Sequence, residues 1–79
     1  MIVKIIERPK GNSTDIVELH ECKQVRFPIF SKQNIDGVIV ETREVKIVDN
    51  DLDATFYSID ERSSIYVLND NGQTIEHLQ

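Results

Sequence analysis

The residues of this chain with the most chemical potential are acidic and sit close together. Asp49-Asn50-Asp51-Leu52-Asp53 is followed by Thr55, Phe56 and Asp60. Laid on a calcium-binding loop, carboxylates fall at positions one, three and five, and Asp60 falls at twelve. Phe56 takes the hydrophobic position eight. Calcium favours such a run because a hard cation gathers several oxygens from a flexible loop. Two residues depart from the pattern. Ala54 stands where the sharp turn wants glycine, and Asp60 stands where a bidentate Glu is usual. The flanks also read as strands and not as helices. These departures favour a solvated acidic turn between strands, so no metal and no other cofactor is expected.

His20 and Cys22 lie two apart, which on a strand puts them on one face. With His77 they make at most three soft-metal ligands and lack a fourth. A packed thiol and a half-exposed histidine are the simpler expectation. Cys22 as a nucleophile would need a base and an orienting partner. No glycine-rich elbow surrounds it, and three dispersed glycines cannot cradle a phosphate. The chain is therefore expected not to be an enzyme. Arg26, Arg43 and Arg62 could grip an anionic ligand through bidentate contacts. Tyr57 and Tyr66 are the aromatics to test beside them as binding-surface anchors. The plainer alternative is scattered surface charge and rim packing.

Composition bounds these choices. A chain of 79 residues makes one domain, 1–79. At this size roughly 60 % of the unfolded surface is buried, which leaves a marginal core. One cysteine excludes an internal disulfide, so self-association is the support left open. Fourteen acids against nine bases give a net charge of −5. That balance argues against direct binding of nucleic acid, whose phosphates need clustered Lys and Arg. A protein partner with a basic face fits better, steered towards Asp49, Asp51, Asp53, Asp60 and Glu61. The apolar run Ile2–Ile6 is interrupted by Lys4 and is too short for a signal peptide or a membrane span. A free cysteine fits a reducing compartment. A complete, cytoplasmic chain without membrane contact is expected.

The elements that would position these residues read as strands. Ile2, Val3, Ile5 and Ile6 are β-branched and predict a strand from about Ile2 to Glu7, with a turn over Arg8-Pro9-Lys10-Gly11-Asn12. Both faces are partly apolar, which predicts a central strand or an interface. From Asp15 to Phe30 the odd positions Val17, Leu19, Val25, Phe27 and Ile29 are apolar, the strand period. Glu21 and Lys23 interrupt it, so the strand bends there or two strands meet. Ser31 to Gly37 reads as a loop. Val38 to Val48 reads as one long strand whose pattern changes phase, since Val38 and Val40 are even whereas Val45 and Ile47 are odd. A β-bulge near Thr42–Glu44 would reconcile the two sets. Thr55 to Ile59 is a short strand. Ser64–Leu68 and Gln73–Leu78 flank Asn71-Gly72, a pair that tolerates the positive φ of a hairpin turn. That turn sets Leu68 opposite Ile75 and Ile65 opposite Leu78, and a loop beginning at Asn69 would shift the register. The fold class is all-β, or β-rich α+β: a small antiparallel sheet, barrel or sandwich of about five to six strands with a C-terminal β-hairpin.

The opening Met1-Ile2-Val3-Lys4-Ile5-Ile6-Glu7-Arg8-Pro9-Lys10-Gly11 and the ending Ile65 to Glu76 resemble those of short proteins encoded by phages and other mobile elements. The resemblance covers the two ends of the chain and carries no catalytic motif. It implies a protein that acts by binding, as inhibitors of host defence systems do, in the host cytoplasm. Two functions follow as expectations. The first is a non-enzymatic binding protein that inhibits or modulates a protein partner through its acidic face. The second is a homo-oligomer that sequesters an anionic, nucleotide-like signal through Arg26, Arg43, Tyr57 and Tyr66.

Overall fold

The computed structural model describes residues 1–11 and 14–79. Among them are seven strands: β1 (Ile2–Glu7), β2 (Ile16–Glu21), β3 (Gln24–Ile35), β4 (Val38–Val48), β5 (Ala54–Ile59), β6 (Ser64–Leu68) and β7 (Thr74–His77). They form two antiparallel sheets, β2-β1-β6-β7 and β3-β4-β5. The all-β expectation holds, as an open two-sheet arrangement and not a closed barrel. The core joins Val3, Ile5 and Ile65 of the first sheet to Val45, Ile47 and Ile59 of the second. Val25, Phe27, Tyr57 and Leu78 pack against it. Burying side chains of this kind contributes roughly 1.5–3 kcal/mol each.

β1 is central, as its two-sided apolar pattern predicts. Val3 lies between His20 and Val67, and Ile5 between Glu18 and Ile65. The turn after β1 includes Lys10 and Gly11. Of the other predicted turn residues, Arg8 and Pro9 are irregular backbone between β1 and this turn, and Asn12 lies outside the described residues.

The alternating run from Asp15 to Phe30 divides between the two sheets, which raises the strand count to seven. The division falls at Cys22-Lys23. The Cys22 amide donates to the Met1 carbonyl at 3.0 Å, and the Lys23 amide donates to the Val48 carbonyl at 2.8 Å. One residue therefore holds the first sheet and the next holds the second. Cys22 is 2 % exposed at this corner. The consequence for the side chains is direct. Val25 and Phe27 turn into the core, whereas Val17 and Leu19 face outwards opposite Ile6 and Lys4.

The expected bulge in β4 near Thr42–Glu44 is absent, because β4 pairs without interruption there. The register shift lies in β3 instead, between Arg26 and Ile29, where the Phe27–Pro28 peptide is cis. The phase change of β4 has another cause. β5 pairs with β4 only from Arg43 to Val48. From Val38 to Thr42, β4 has β3 alone as a neighbour, and the pair runs out as a two-stranded ribbon. Both faces of that ribbon meet solvent, so no core selects one phase.

The stretch Ser31–Gly37 is not a loop throughout. β3 continues to Ile35, and the chain reverses over Asp36-Gly37 alone. Their φ angles are 52° and 82°, both positive as a type I′ hairpin turn requires.

The C-terminal hairpin forms, and its predicted register holds for most of its length. Tyr66 pairs with His77 and Val67 with Glu76, and the Leu78 amide donates to the Ile65 carbonyl at 2.9 Å. Asn69 and Asp70 do join the turn, which shifts the last pair to Leu68 with Thr74. Ile75 is the extra residue and stands exposed.

Candidate functional site

The acidic segment between β4 and β5 is a turn closed by its own hydrogen bonds. The Asp49 amide donates to the Asp53 carbonyl at 2.9 Å, and Leu52 N–H to the Asp49 carbonyl at 3.1 Å. Asp49 Oδ1 accepts from the amides of Asp51 and Asp53, at 2.9 and 3.0 Å. That oxygen is engaged in shaping the backbone, as Asx side chains do in turns. Asp51 and Asp53 contribute their amides and leave their carboxylates exposed. Leu52 adopts φ 66° and is 72 % exposed. Among the described residues, no group of three His, Cys, Asp or Glu side chains gathers closely enough to hold a metal ion.

Asp60 and Glu61 follow the opposite end of β5. A strand of six residues separates them from Asp53, about 20 Å at roughly 3.3 Å per residue. The five acidic candidates therefore form two groups. Asp60 is engaged like Asp49: Oδ1 accepts from the Arg62 amide at 2.9 Å and from the Ser63 hydroxyl at 3.1 Å. Those donors hold its carboxyl below the usual carboxylate range, the Arg62 amide most strongly.

The acidic loop gains neighbours that the sequence places far away. Asn50 borders a cleft of about 280 Å³ together with Met1, Ile2, Glu21, Cys22 and Asp70. Glu21, Asp51, Asp53 and Asp70 thus belong to one end of the molecule. A Met1 amino group lies 3.4 Å from the Asp70 carboxylate.

The four candidate ligand residues do not converge. Arg26 is opposite Lys46 on the outer face of the three-stranded sheet, and Lys46 lies 5.9 Å from the centre of the Phe56 ring. Arg43 is opposite Ile59, where β5 ends. Tyr57 packs against the core, its ring 5.0 Å from that of His20. Tyr66 is on the outer face of the other sheet, stacked on His77 at 4.4 Å.

The two histidines lie on opposite faces of the four-stranded sheet. His20 is opposite core residue Val3 and contacts Glu18 at 3.2 Å, whereas His77 joins the outward Tyr66. Burial pushes the Cys22 thiol up from its ordinary value, against a smaller opposing influence of the Met1 amino group. A protonated, enclosed thiol is a poor nucleophile.

No protein-family model matches this chain, and comparison with curated proteins and with solved structures finds no match.

The surface that sequence reasoning missed is the outer face of the four-stranded sheet. The pairing aligns Val17, Ile6 and Ser64 in one row, Leu19, Lys4, Tyr66 and His77 in the next, and Glu21, Ile2, Leu68 and Thr74 in the third. Val17 is 54 % exposed and Leu19 62 %. Ile2, Ile6, Tyr66 and Leu68 are half-buried, with Lys4 lying 6.0 Å from the Tyr66 ring and the Arg8 guanidinium reaching the Ser64 hydroxyl at 2.8 Å. The outer face of a two-sheet protein is ordinarily polar. The two-sided apolar pattern of Ile2–Ile6 was the available signal, although it could not say which strands would extend the patch.

Proposed function

We propose that this chain is a non-enzymatic binding protein that docks on a protein partner through the outer face of the four-stranded sheet and the acidic end beside it. The supporting observation is that uncovered apolar face, which carries Val17 and Leu19 on its edge strand and adjoins Glu21. Charge fixes the chemistry of the partner. Glu21 ends one row of the patch and shares a cleft with Asp70 and with Asn50 of the acidic loop, and the chain carries a net −5. The matching surface has an apolar centre flanked by Lys and Arg.

Size argues that both parts of the surface are used. Four strands of six, six, five and four residues make a flat footprint of at most about 20 by 19 Å, or roughly 400 Å². A standard interface buries about 800 Å² per partner. The face alone falls short, and the acidic end supplies adjoining area. A small phage-encoded modulator of a host protein, working in the cytoplasm, fits this reading and the resemblance of the chain ends. Sequestration of an anionic small molecule has less support, because Arg26, Arg43, Tyr57 and Tyr66 lie on separate surfaces.

The test is affinity purification from host cells at low salt, with circular dichroism of each variant. A stoichiometric partner is expected, released by Leu19→Glu in a folded protein and progressively lost with added salt. Equal recovery by the wild type and folded Leu19→Glu would overturn the docking face.

A further inference from the structure

We propose that the projecting β3–β4 ribbon pairs with the same ribbon of a second copy, edge to edge along residues 38–42 of β4, to form a two-fold dimer. This goes beyond the proposed docking reading and uses a different surface.

The chain exposes 5617 Å². Area scaling gives a compact monomer of this mass about 4,900 Å². The excess of roughly 700 Å² is close to the 800 Å² that each partner buries in a standard interface. The radius of gyration agrees: it is 13.9 Å, against about 12 Å for a compact domain of this length. The longest extent reaches 47 Å. The ribbon has the surface composition of an interface. Phe30, Ile35, Val38, Ile39 and Val40 are exposed, with Ile39 at 70 %. A two-stranded ribbon is marginal in water without further partners.

The edges point to the mode of contact. Natural sheets guard free edges with bulges, proline, lysine or inward charges. β2 carries Glu18 and His20 opposite core residues Ile5 and Val3. β3 carries its register shift and Pro28, then Lys32 further along the ribbon. β7 carries its own irregularity. The open part of β4, Val38-Ile39-Val40-Glu41-Thr42, has no bulge, proline or lysine and is mostly β-branched, and its one charge, Glu41, is ion-paired with Lys32 at 3.8 Å. The edge strand β5 lacks these guards too, but the β4 segment is the one on the projecting ribbon, where Val38, Ile39 and Val40 are exposed.

A two-fold axis near Val40 makes this edge self-complementary. Val38 of one copy then lies across from Thr42 of the other, and Ile39 across from Glu41. The Asp36-Gly37 tip of each ribbon reaches the place where β5 of the other copy ends. That place is a notch of about 410 Å³ lined by Glu41, Thr42, Arg43, Ser58, Ile59 and Asp60. In this register Gly37 of the incoming tip falls across from Arg43 with Asp36 next to it, so the Arg43 cation is the group that offsets the Asp36 charge beside Glu41 and Asp60 of the notch. Each copy uses its open β4 segment once in this two-fold contact, so the pairing closes at two copies.

Sedimentation equilibrium of the purified chain from 1 to 100 µM tests this, with circular dichroism as the folding control. The expected result is a mass twice 9.1 kDa for the wild type. Folded Val40→Lys, which sets two cations face to face at the axis, is expected as a monomer across the range. Arg43→Glu is expected to raise the dissociation constant at least tenfold, and Leu19→Glu to leave it unchanged. A monomeric wild type at 100 µM would overturn the proposal. So would a dimer that survives Val40→Lys, or one broken only by Leu19→Glu, which would place the second copy on the outer sheet face. Loss of the partner by Leu19→Glu and loss of the dimer by Val40→Lys are separate readouts, so either reading can fail alone.

Discussion

Asp49 and Asn69 occupy the same position in two turns of one geometry. Each opens a five-residue reversal, and its Oδ1 accepts from the amides two and four residues on, between 2.9 and 3.0 Å. Each also donates its own amide to the carbonyl four residues on, at 2.9 Å. The fourth position has positive φ in both, 66° at Leu52 and 80° at Gly72. The turns DNDLD and NDNGQ are thus two spellings of one structure.

That equivalence makes the first prediction. A non-glycine residue in the left-handed region costs about 1–2 kcal/mol, partly offset by the greater freedom glycine loses on folding. Leu52→Gly is therefore expected to stabilise the fold by up to about 1 kcal/mol in urea unfolding. Asp49→Ala removes an acceptor for two amides and is expected to cost about 1–2 kcal/mol. Asp49→Asn copies Asn69 and is expected to stay close to the wild type.

Asp51 and Asp53 lend the turn only backbone groups, so their carboxylates can be changed without altering it. In the proposed docking they act at long range. The double variant Asp51→Asn/Asp53→Asn is expected to slow association with the partner several-fold, with little change in dissociation. Stopped-flow or surface-based kinetics at two salt concentrations would check this. The difference from the wild type is expected to shrink as salt screens the charges.

Asp60 sets part of the acid limb of stability. Its folded-state pKa is lowered by the Arg62 amide and the Ser63 hydroxyl. A depressed carboxyl contributes stability that is present above its unfolded value, near 3.8, and is lost as pH falls through the lower folded value. Unfolding midpoints measured between pH 7 and pH 2 are expected to fall less steeply below pH 4 in Asp60→Asn than in the wild type. Equal slopes would remove Asp60 from that role.

Cys22 is a corner residue and not a reactive one. Native protein is expected to react with a thiol reagent far more slowly than urea-unfolded protein, with labelling tracking unfolding. Cys22→Ser puts a hydroxyl in the same enclosed space and is expected to cost about 1–3 kcal/mol.

Much of the fold was legible because strands with one buried face write a period of two. Val3 and Ile5, Val45 and Ile47, and Ile65 and Val67 all obey it. Reading stopped where that condition lapsed. Val38 and Val40 are out of phase with Val45 because the ribbon has no buried face, and such a phase change mimics a bulge where the strand is regular. Asp36-Gly37 was a hairpin signal as strong as Asn71-Gly72, masked by the polar run Ser31–Asn34. The change of sheet at Cys22-Lys23 left the alternation intact, so Val17 and Val25 looked like one face. The acidic loop was visible from composition. Its separation from Asp60 and its nearness to Glu21 and Asp70 were not, because both depend on which strand ends meet.

The docking face is tested most directly by site-specific photo-crosslinking in host cells, with a photoreactive residue at Leu19, at Asp53 or at Lys46 on the opposite sheet. The expected result is one protein adduct of the same mass from Leu19 and Asp53, and none from Lys46. An adduct from Lys46 with none from Leu19 would contradict the account.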